Sequence, residues 1–427
     1  MTLPKKAYFV GIGGIGMSAL AQYLAAHAVA VSGSDREESP VTKLLGERGI
    51  EVTIGQVAEN VPADADVVIY SDAVSQDNPE RLRARELGMR QASYFELLGE
   101  VTEGKRTVAV AGTHGKTTTT GMLAKILHDA GASPSAIVGS IVRDFGGNYL
   151  SGSSDLFVVE ACEYREHFLS LAPRVLVVTN IEWDHTDYFK DLAAFQAAFR
   201  ALMERVPTDG VIVTDTTHPN IAPLLAGLAA RIIDYKGEPT HEVSLPGEFN
   251  RLNARAAAAA ARILVPGIDD ERIDDSLYAF RGTWRRFEYK GKTSMGAEVY
   301  DDYAHHPTAV AVTLAELRRK TKGKVFVAFH PHLFSRTRDL LDGFAHAFRD
   351  ADEVVIAPIY AAREKDDGSV SNRILAERIA AAGVPAAAID SFSEITAYLD
   401  GRAGPGDVVM SMGAGDIYKV ADALVAK

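Results

Sequence analysis

The sequence predicts an α/β protein built in three successive segments, each around a largely parallel sheet. Three observations carry that reading. Short apolar runs alternate with helical patterns from one end of the chain to the other. Two of those runs lead straight into a glycine-rich turn that opens a helix. Most of the remaining runs stop at polar residues, as strands do where they present side chains at the carboxyl edge of an open sheet. The length of 427 residues allows two to four domains at roughly 100–200 residues each, and no repeat of about 20–50 residues is evident.

The first segment, residues 1–103, opens with an apolar strand at 7–10, a glycine loop and a helix near 17–26. A second strand near 29–32 ends at Ser34 and Asp35, and a third at 67–70 ends at Ser71 and Asp72. GIGGIG at 11–16, with Asp35 about twenty residues on, fits the dinucleotide fingerprint in its proper strand–turn–helix setting. Glycines let backbone approach a diphosphate, and the helix N-terminus offers its amides. The pattern reports a diphosphate, not a nicotinamide. It is open to an NAD enzyme, to another diphosphate such as a UDP-sugar, or to a tight turn without ligand. The segment is expected to be Rossmann-like.

The second segment, 104–290, begins after EGKR with a strand at 107–111 that runs into GTHGKTTTT. Gly115-Lys116-Thr117 is the GK[ST] end of a phosphate loop. Lys116 is placed to reach the β- and γ-phosphates and the Thr117 hydroxyl to ligate Mg²⁺. Val110 stands where the usual first glycine would be, so the loop is a variant of the P-loop ATPase type. Four consecutive threonines are poor helix formers; at this helix start they suggest hydroxyls and amides facing phosphate. Strands at 157–159 and 175–178 end in Glu160 and Glu163 and in Glu182, Asp184, His185 and Asp187, carboxylates and an imidazole that suit Mg²⁺ beside an ATP loop. Cys162 lacks an evident base partner for a catalytic thiol. Asn250 and Asn253 open an alanine-rich helix; Asn250 is placed to cap it, and Asn253 lies a turn too far in for that role.

The third segment, 291–427, has strands at 299–300, 324–329, 354–358 and 407–411, leading into DDYAHHP, HPHLFSRTR, IYAARE and MGAGD. It too reads as a Rossmann-like, doubly wound unit. His305, His306, His330 and His332 invite a zinc reading, but their spacing matches no zinc finger or metalloprotease. The nearby Arg336 and Arg338 suit a carboxylate or phosphate better. Arg285-Arg286 is a possible phosphate clamp.

Composition sets limits. The net charge of −12 argues against a nucleic-acid binder. One cysteine rules out a disulfide framework and a multi-cysteine zinc site. The N-terminal residues run directly into the first strand rather than forming a signal peptide, and no apolar stretch nears the roughly 18 residues of a membrane span. A cytoplasmic location without membrane insertion is the expectation.

The order and spacing of GIGGIGMSALA, GTHGKTTTT, EACEY, TNIEWDH, LPGEFNRLNARAA, RRFE, DDYAHHPT, HPHLFSRTRDL and SMGAGDIYK resemble the Mur ligase family. The resemblance spans nearly the whole chain. It implies domains for a UDP-substrate, for ATP and for an amino acid. It also implies ligation of L-alanine to UDP-N-acetylmuramate through an acyl phosphate, with ATP and Mg²⁺, for peptidoglycan synthesis. The alternative is the recycling ligase that joins a tripeptide to the same UDP-sugar, with an NAD-dependent oxidoreductase as a more distant reading. By resemblance, Gly13, Gly14, Ile15 and Gly16, with Asp35 and Ser71, hold the UDP-substrate. Gly112, Thr113, His114, Gly115, Lys116, Thr117, Thr118, Asn253, Arg286 and Asp302 contact ATP. Thr117, Glu160 and His185 hold the metal, and His306, His332 and Arg336 meet the amino acid. Lys116, Glu160, His185, His306 and Arg336 form the catalytic set, with His306 as candidate base and Arg336 on the amino acid's carboxylate. Two positions depart from the family pattern. Cys162 stands where aspartate is usual, and Leu333 where arginine is. TNIEWDH has no lysine to match the one that other branches carbamylate.

Overall fold

The structure, a computed structural model, describes residues 3–425. The first sheet comprises β1 (Lys6–Val10), β2 (Ala30–Asp35), β3 (Glu51–Ile54), β4 (Val67–Tyr70) and β5 (Arg90–Ser93), in the order β3-β2-β1-β4-β5. Every pairing is parallel. The chain winds outward from β1 on one side, then restarts at β4 on the other. That reversal opens a crevice at the carboxyl ends of β1 and β4, where the glycine loop and Ser71 emerge.

The second sheet comprises β6 (Arg106–Ala111), β7 (Ser135–Val142), β8 (Gly147–Leu150), β9 (Leu156–Glu160), β10 (Val175–Val178), β11 (Val211–Thr214) and β12 (Arg231–Asp234). Their order is β12-β11-β10-β6-β9-β7-β8. The central strand β6 lies between β9 and β10, so the phosphate loop leaves the sheet between the ends of the two acid-bearing strands. These three strands are buried at nearly every position. Parallel strands covered on both faces are near-continuously apolar, which is why their centres read as apolar runs.

The third sheet comprises β13 (Glu288–Lys292), β14 (Glu298–Asp302), β15 (Val325–Phe329), β16 (Glu353–Ile356), β17 (Ala386–Ala388) and β18 (Val408–Met412), ordered β13-β14-β18-β15-β16-β17. Alternate residues serve two separate cores, as the two-residue period of a strand requires. Val325, Val327 and Phe329 join Val354, Ile356, Met410 and Met412 on one face. Phe326 and Ala328 join Val355, Val409 and Val299 on the other. The expectation of largely parallel sheets holds, with two antiparallel exceptions at sheet edges, β8 on β7 and β13 on β14.

The described chain divides into two compact units. One contains the chain through Glu182 with Gln196–Ser244 and Arg251–Arg281, and so carries the first two sheets. The other contains Gly282–Lys427 together with Trp183–Phe195 and Leu245–Asn250. Among the described residues no helix is long and apolar enough to cross a membrane.

Candidate active site

The phosphate loop is held from below by the strand beside it. Val110 is buried inside β6, so the turn begins later, at Gly112 with φ 132° and Gly115 with φ 81°. A Cβ at Gly112 would fall 2.1 Å from Thr179 Oγ1, and one at Gly115 would fall 2.2 Å from Asn253 Oδ1. Only glycine accepts both the backbone angle and the crowding. Just past β10, Thr113 N–H donates to the Asn180 carbonyl at 3.0 Å and His114 N–H to Asn180 Oδ1 at 2.9 Å. Thr179 Oγ1 donates to the His114 carbonyl at 2.6 Å.

The helix Lys116–Asp129 starts at Gly115, and its first-turn amides have no intrahelical acceptor. Lys116 Nζ donates to the Gly112 carbonyl and, at 2.9 Å, to Glu163 Oε1. Burial works against the ammonium, but Glu163 and Glu160 outweigh it and hold its pKa above the usual lysine value. Thr117 Oγ1 donates to Glu160 Oε1 at 3.0 Å, and Glu160 Oε2 accepts the Gly139 N–H at 2.7 Å. A cation, a hydroxyl and a carboxylate thus converge where phosphate and Mg²⁺ would sit, and hard oxygen donors are what Mg²⁺ takes. The four threonines do not all face that space. Thr119 and Thr120 are fully buried, and Thr120 Oγ1 bonds back to the Lys116 carbonyl at 2.8 Å. Burial pushes the Cys162 thiol up to about 12, so it stays uncharged at neutral pH.

In the same unit, the glycine loop leaves β1 with Gly11 and Ile12 donating to the Ser34 carbonyl, each at 2.9 Å. Asp35 Oδ2 accepts the Gly13 N–H at 2.8 Å, and Oδ1 accepts the Arg36 N–H at 2.7 Å. The acid at the end of β2 therefore fastens the glycine loop itself. Ser71 follows β4, with its N–H on the Val10 carbonyl at 3.2 Å. The structure brings Gly13–Gly16, Asp35 and Ser71 to one crevice.

The second unit gathers the histidines and arginines. Arg336 is 2% exposed, and its Nε donates to Asp184 Oδ1 at 2.7 Å. Its Nη1 donates to His332 Nδ1 at 2.9 Å. Burial alone would raise the Asp184 carboxyl, but Arg336 outweighs it and holds it well below the usual range. His332 stacks on Tyr360, and burial with the neighbouring Arg336 and Arg363 pushes it down to about 3. His305 is likewise held well below the usual histidine value by burial and Arg336. These rings are neutral at pH 7. His306 caps the helix Pro307–Lys320, its Nδ1 accepting the Thr308 N–H at 3.3 Å. Its Nε2 lies 3.3 Å from the Trp183 carbonyl. Acting as a base would require this ring to release one of those partners. His185 adopts a left-handed φ of 52°, next to Asp184.

Asp302 ends β14 and accepts the Phe287 and Ala304 N–H groups, each at 2.7 Å. Arg286 lies over the Tyr303 ring at 5.0 Å. The paired-arginine clamp is corrected here. Arg285 is buried, with Nε on Asp301 Oδ2 at 2.8 Å and Nη1 and Nη2 on the Gly415 and Gly413 carbonyls at 2.8 and 2.6 Å. It stitches the RRFE turn to the MGAGD loop. Asn250 is corrected too. It lies inside the helix Glu248–Leu264, with Nδ2 on the Pro246 carbonyl at 2.6 Å, and is not its cap.

Asn253, Lys116, Thr117 and Glu160 therefore share the first unit, and His185, Arg286, Asp302, His306, His332 and Arg336 the second. Sequence reading passed over Asn180 and Thr179 as loop supports and Asp184 as the partner of Arg336. The last pair is separated by 152 residues, and no local spacing signals it.

Comparison with known proteins adds three family matches in chain order. A model described as the Mur ligase family, catalytic domain matches residues 6–106. The Mur ligase middle domain matches 110–241, and the Mur ligase, glutamate ligase domain matches 285–415. The UDP-N-acetylmuramate–L-alanine ligase of Caldicellulosiruptor saccharolyticus is 38% identical, over 99% of this chain and 98% of that protein. The enzyme of the same name from Clostridium kluyveri is 38% identical over 98% and 97%. Among solved structures, the UDP-N-acetylmuramate-alanine ligase MurC of Thermotoga maritima aligns with a TM-score of 0.83 at 29% identity, over 99% of this chain and 98% of that one. A murein peptide ligase from Psychrobacter arcticus aligns at 0.76 and 25%, over 99% and 98%.

Proposed function

The chain belongs to the Mur ligase family, and from that premise we propose how its residues divide the work of an ATP-dependent amide-bond synthesis. It joins L-alanine to UDP-N-acetylmuramate at the expense of ATP, with Mg²⁺, in peptidoglycan precursor synthesis. We place the reaction in the cytoplasm. The observation that carries the assignment of roles is the convergence of Lys116, Thr117, Glu160 and Glu163 on the phosphate loop, in the same unit as the glycine loop of the first sheet.

A carboxylate is a poor acyl donor at neutral pH, so a better leaving group has to be installed. One oxygen of the substrate carboxylate attacks the γ-phosphorus of ATP, the bond to the β-phosphate oxygen breaks, and ADP leaves. The alanine amine then attacks the acyl carbon, inorganic phosphate departs, and the amine loses a proton. The protein's share is to position the reactants and to neutralise charge. Lys116, swung from Glu163 onto the phosphates, and the first-turn amides of its helix stabilise the transferring group. Mg²⁺, when bound, neutralises the negative phosphate oxygens; Thr117 and Glu160 would hold it, with His185 as the proposed third ligand. Gly13–Gly16, Asp35 and Ser71 form the UDP-sugar crevice, with Asp35 shaping the loop through Gly13. Asn253, Arg286 and Asp302 are assigned to the nucleotide. His306, His332 and Arg336 are assigned to the amino acid. Arg336 keeps Nη2 for the amino acid's carboxylate while Nε and Nη1 stay on Asp184 and His332. The division at 1–103, 104–290 and 291–427 assigns UDP-substrate, ATP and amino acid in that order, with the last boundary moved back ahead of Gly282, because β13 from Glu288 belongs to the third sheet.

The test is phosphate release from the purified chain with ATP, Mg²⁺ and UDP-N-acetylmuramate. L-alanine is offered in one reaction and the tripeptide in another. Release with alanine is expected; release with tripeptide alone would overturn the reading. The oxidoreductase reading loses its footing in the family matches along the chain and in the ligase relatives that cover 98–99% of it.

A further inference from the structure

Tyr94 is half-buried, and its hydroxyl makes no hydrogen bond to any described residue. A buried tyrosine hydroxyl ordinarily finds a protein partner; this one is left to solvent or to a ligand. Its position is fixed from several sides. It is the first residue of the helix Tyr94–Thr102, which is locked by a capping box between Ser93 and Glu96. The next residue, Phe95, stacks on His167 with ring centres 3.9 Å apart and planes 6° from parallel. His167 Nε2 in turn lies 2.5 Å from Asp72 Oδ2, beside Ser71. The Tyr94 ring rests directly on Gly16. A Cβ there would fall 2.7 Å from Tyr94 Cζ and 2.9 Å from its hydroxyl oxygen, which explains why the last glycine of the loop admits no side chain. Glu160, whose Oε1 accepts the Thr117 hydroxyl, is close enough to act on the same Tyr94 hydroxyl electrostatically.

We propose that the Tyr94 hydroxyl hydrogen-bonds the lactoyl arm of UDP-N-acetylmuramate and so positions its carboxylate between the glycine loop and the phosphate loop. The inference rests on the ligase reading. A substrate that lays its diphosphate on Gly13–Gly16 meets this ring at Gly16. Burial, reinforced by Glu160, raises the hydroxyl above the ordinary tyrosine value, so it remains a neutral donor at neutral pH. Tyr94 is a positioning residue. It takes no part in phosphoryl or acyl transfer.

The experiment compares the full chain with its Tyr94→Phe variant, which keeps the ring on Gly16 and removes only the hydroxyl. ADP release is measured with UDP-N-acetylmuramate varied at saturating ATP and alanine. Inhibition by UDP-N-acetylglucosamine, which lacks the lactoyl arm, is measured alongside. Loss of one substrate hydrogen bond predicts a KM for UDP-N-acetylmuramate raised about five- to tenfold. The KM for ATP and the inhibition constant of UDP-N-acetylglucosamine should stay unchanged. An unchanged KM for UDP-N-acetylmuramate would overturn the proposal. So would a parallel rise in the inhibition constant, because that pattern means a disturbed glycine loop. An unaltered chain that releases no ADP with UDP-N-acetylmuramate would instead overturn the ligase reading, and this inference with it.

Discussion

Replacing Asp184 by asparagine keeps the shape of the side chain and deletes its charge. Arg336 would then lie 2% exposed with its main counter-ion gone, 2.7 Å from a neutral amide oxygen. Asp184 is itself 5% exposed at the side chain, so water cannot take over the role of the carboxylate. Removing one partner of a buried ion pair destabilises by about 3–5 kcal/mol. At a urea dependence of roughly 2 kcal/mol per molar, the midpoint falls by about 2 M. The assay is built into the chain. Its two tryptophans, Trp183 and Trp284, both belong to the unit that contains the pair, so tryptophan fluorescence in a urea titration follows that unit. The double variant Asp184→Leu with Arg336→Met should recover much of the loss, because apolar replacement of a whole buried pair is often near neutral. A midpoint shift below about 0.5 M for the single variant, or a double variant less stable than the single, would refute the reasoning.

Three further outcomes follow from the same geometry. Lys116→Met should lower kcat by about 10²–10³-fold and, because Glu163 loses its cation, also lower the thermal midpoint; steady-state ADP release and thermal denaturation check the two effects separately. Gly115→Ala forces a Cβ to 2.2 Å from Asn253 Oδ1 at φ 81°, so the loop must shift, and the KM for ATP should rise more than that for UDP-N-acetylmuramate; equal KM values in variant and parent would contradict it. Burial depresses His330 to about 4 and His332 to about 3 in the folded chain, whereas an unfolded histidine titrates near 6.5. Their contribution is therefore fully present above pH 6.5 and is lost as pH falls toward the folded values, by up to about 1.4 kcal/mol per pH unit for each ring. Urea midpoints followed by tryptophan fluorescence between pH 7 and pH 4.5 should fall accordingly, and a flat profile would refute the assignment.

Buried central strands were legible because parallel strands covered on both faces are apolar along most of their length, as in β4, β6 and β10. The edge strands were not. Glu51–Ile54, Arg90–Ser93 and Glu288–Lys292 are polar enough to pass for loop, and they are strands only because a neighbour's backbone is there to pair with. Site residues followed the same division. Lys116, Thr117 and Gly115 announce themselves because a phosphate loop is a local arrangement of amides at a strand–helix turn. Asp35 was found for its position, while its hold on the Gly13 amide was not legible, since nothing in the spacing tells which donors a carboxylate meets. The four threonines misled in the opposite direction. Their hydroxyls look alike in sequence, yet helix geometry turns Thr119 and Thr120 into the core and leaves Thr117 to face Glu160.

The assignment of Trp183–Phe195 to the same unit as Gly282–Lys427 bears on how that unit is made and on whether it can be made alone. Asp184 leaves the ribosome 152 residues ahead of Arg336, an interval of about 8–30 s at ordinary synthesis rates. A carboxylate waiting in water for that time does no harm. The reverse case is the damaging one. A fragment cut at residue 291, where the sequence suggests a clean boundary, would carry Arg336 into its interior without Asp184. Such a fragment is expected to be recovered as an aggregate, and a soluble version would have to include a grafted copy of 183–195 or replace Arg336 with an apolar residue.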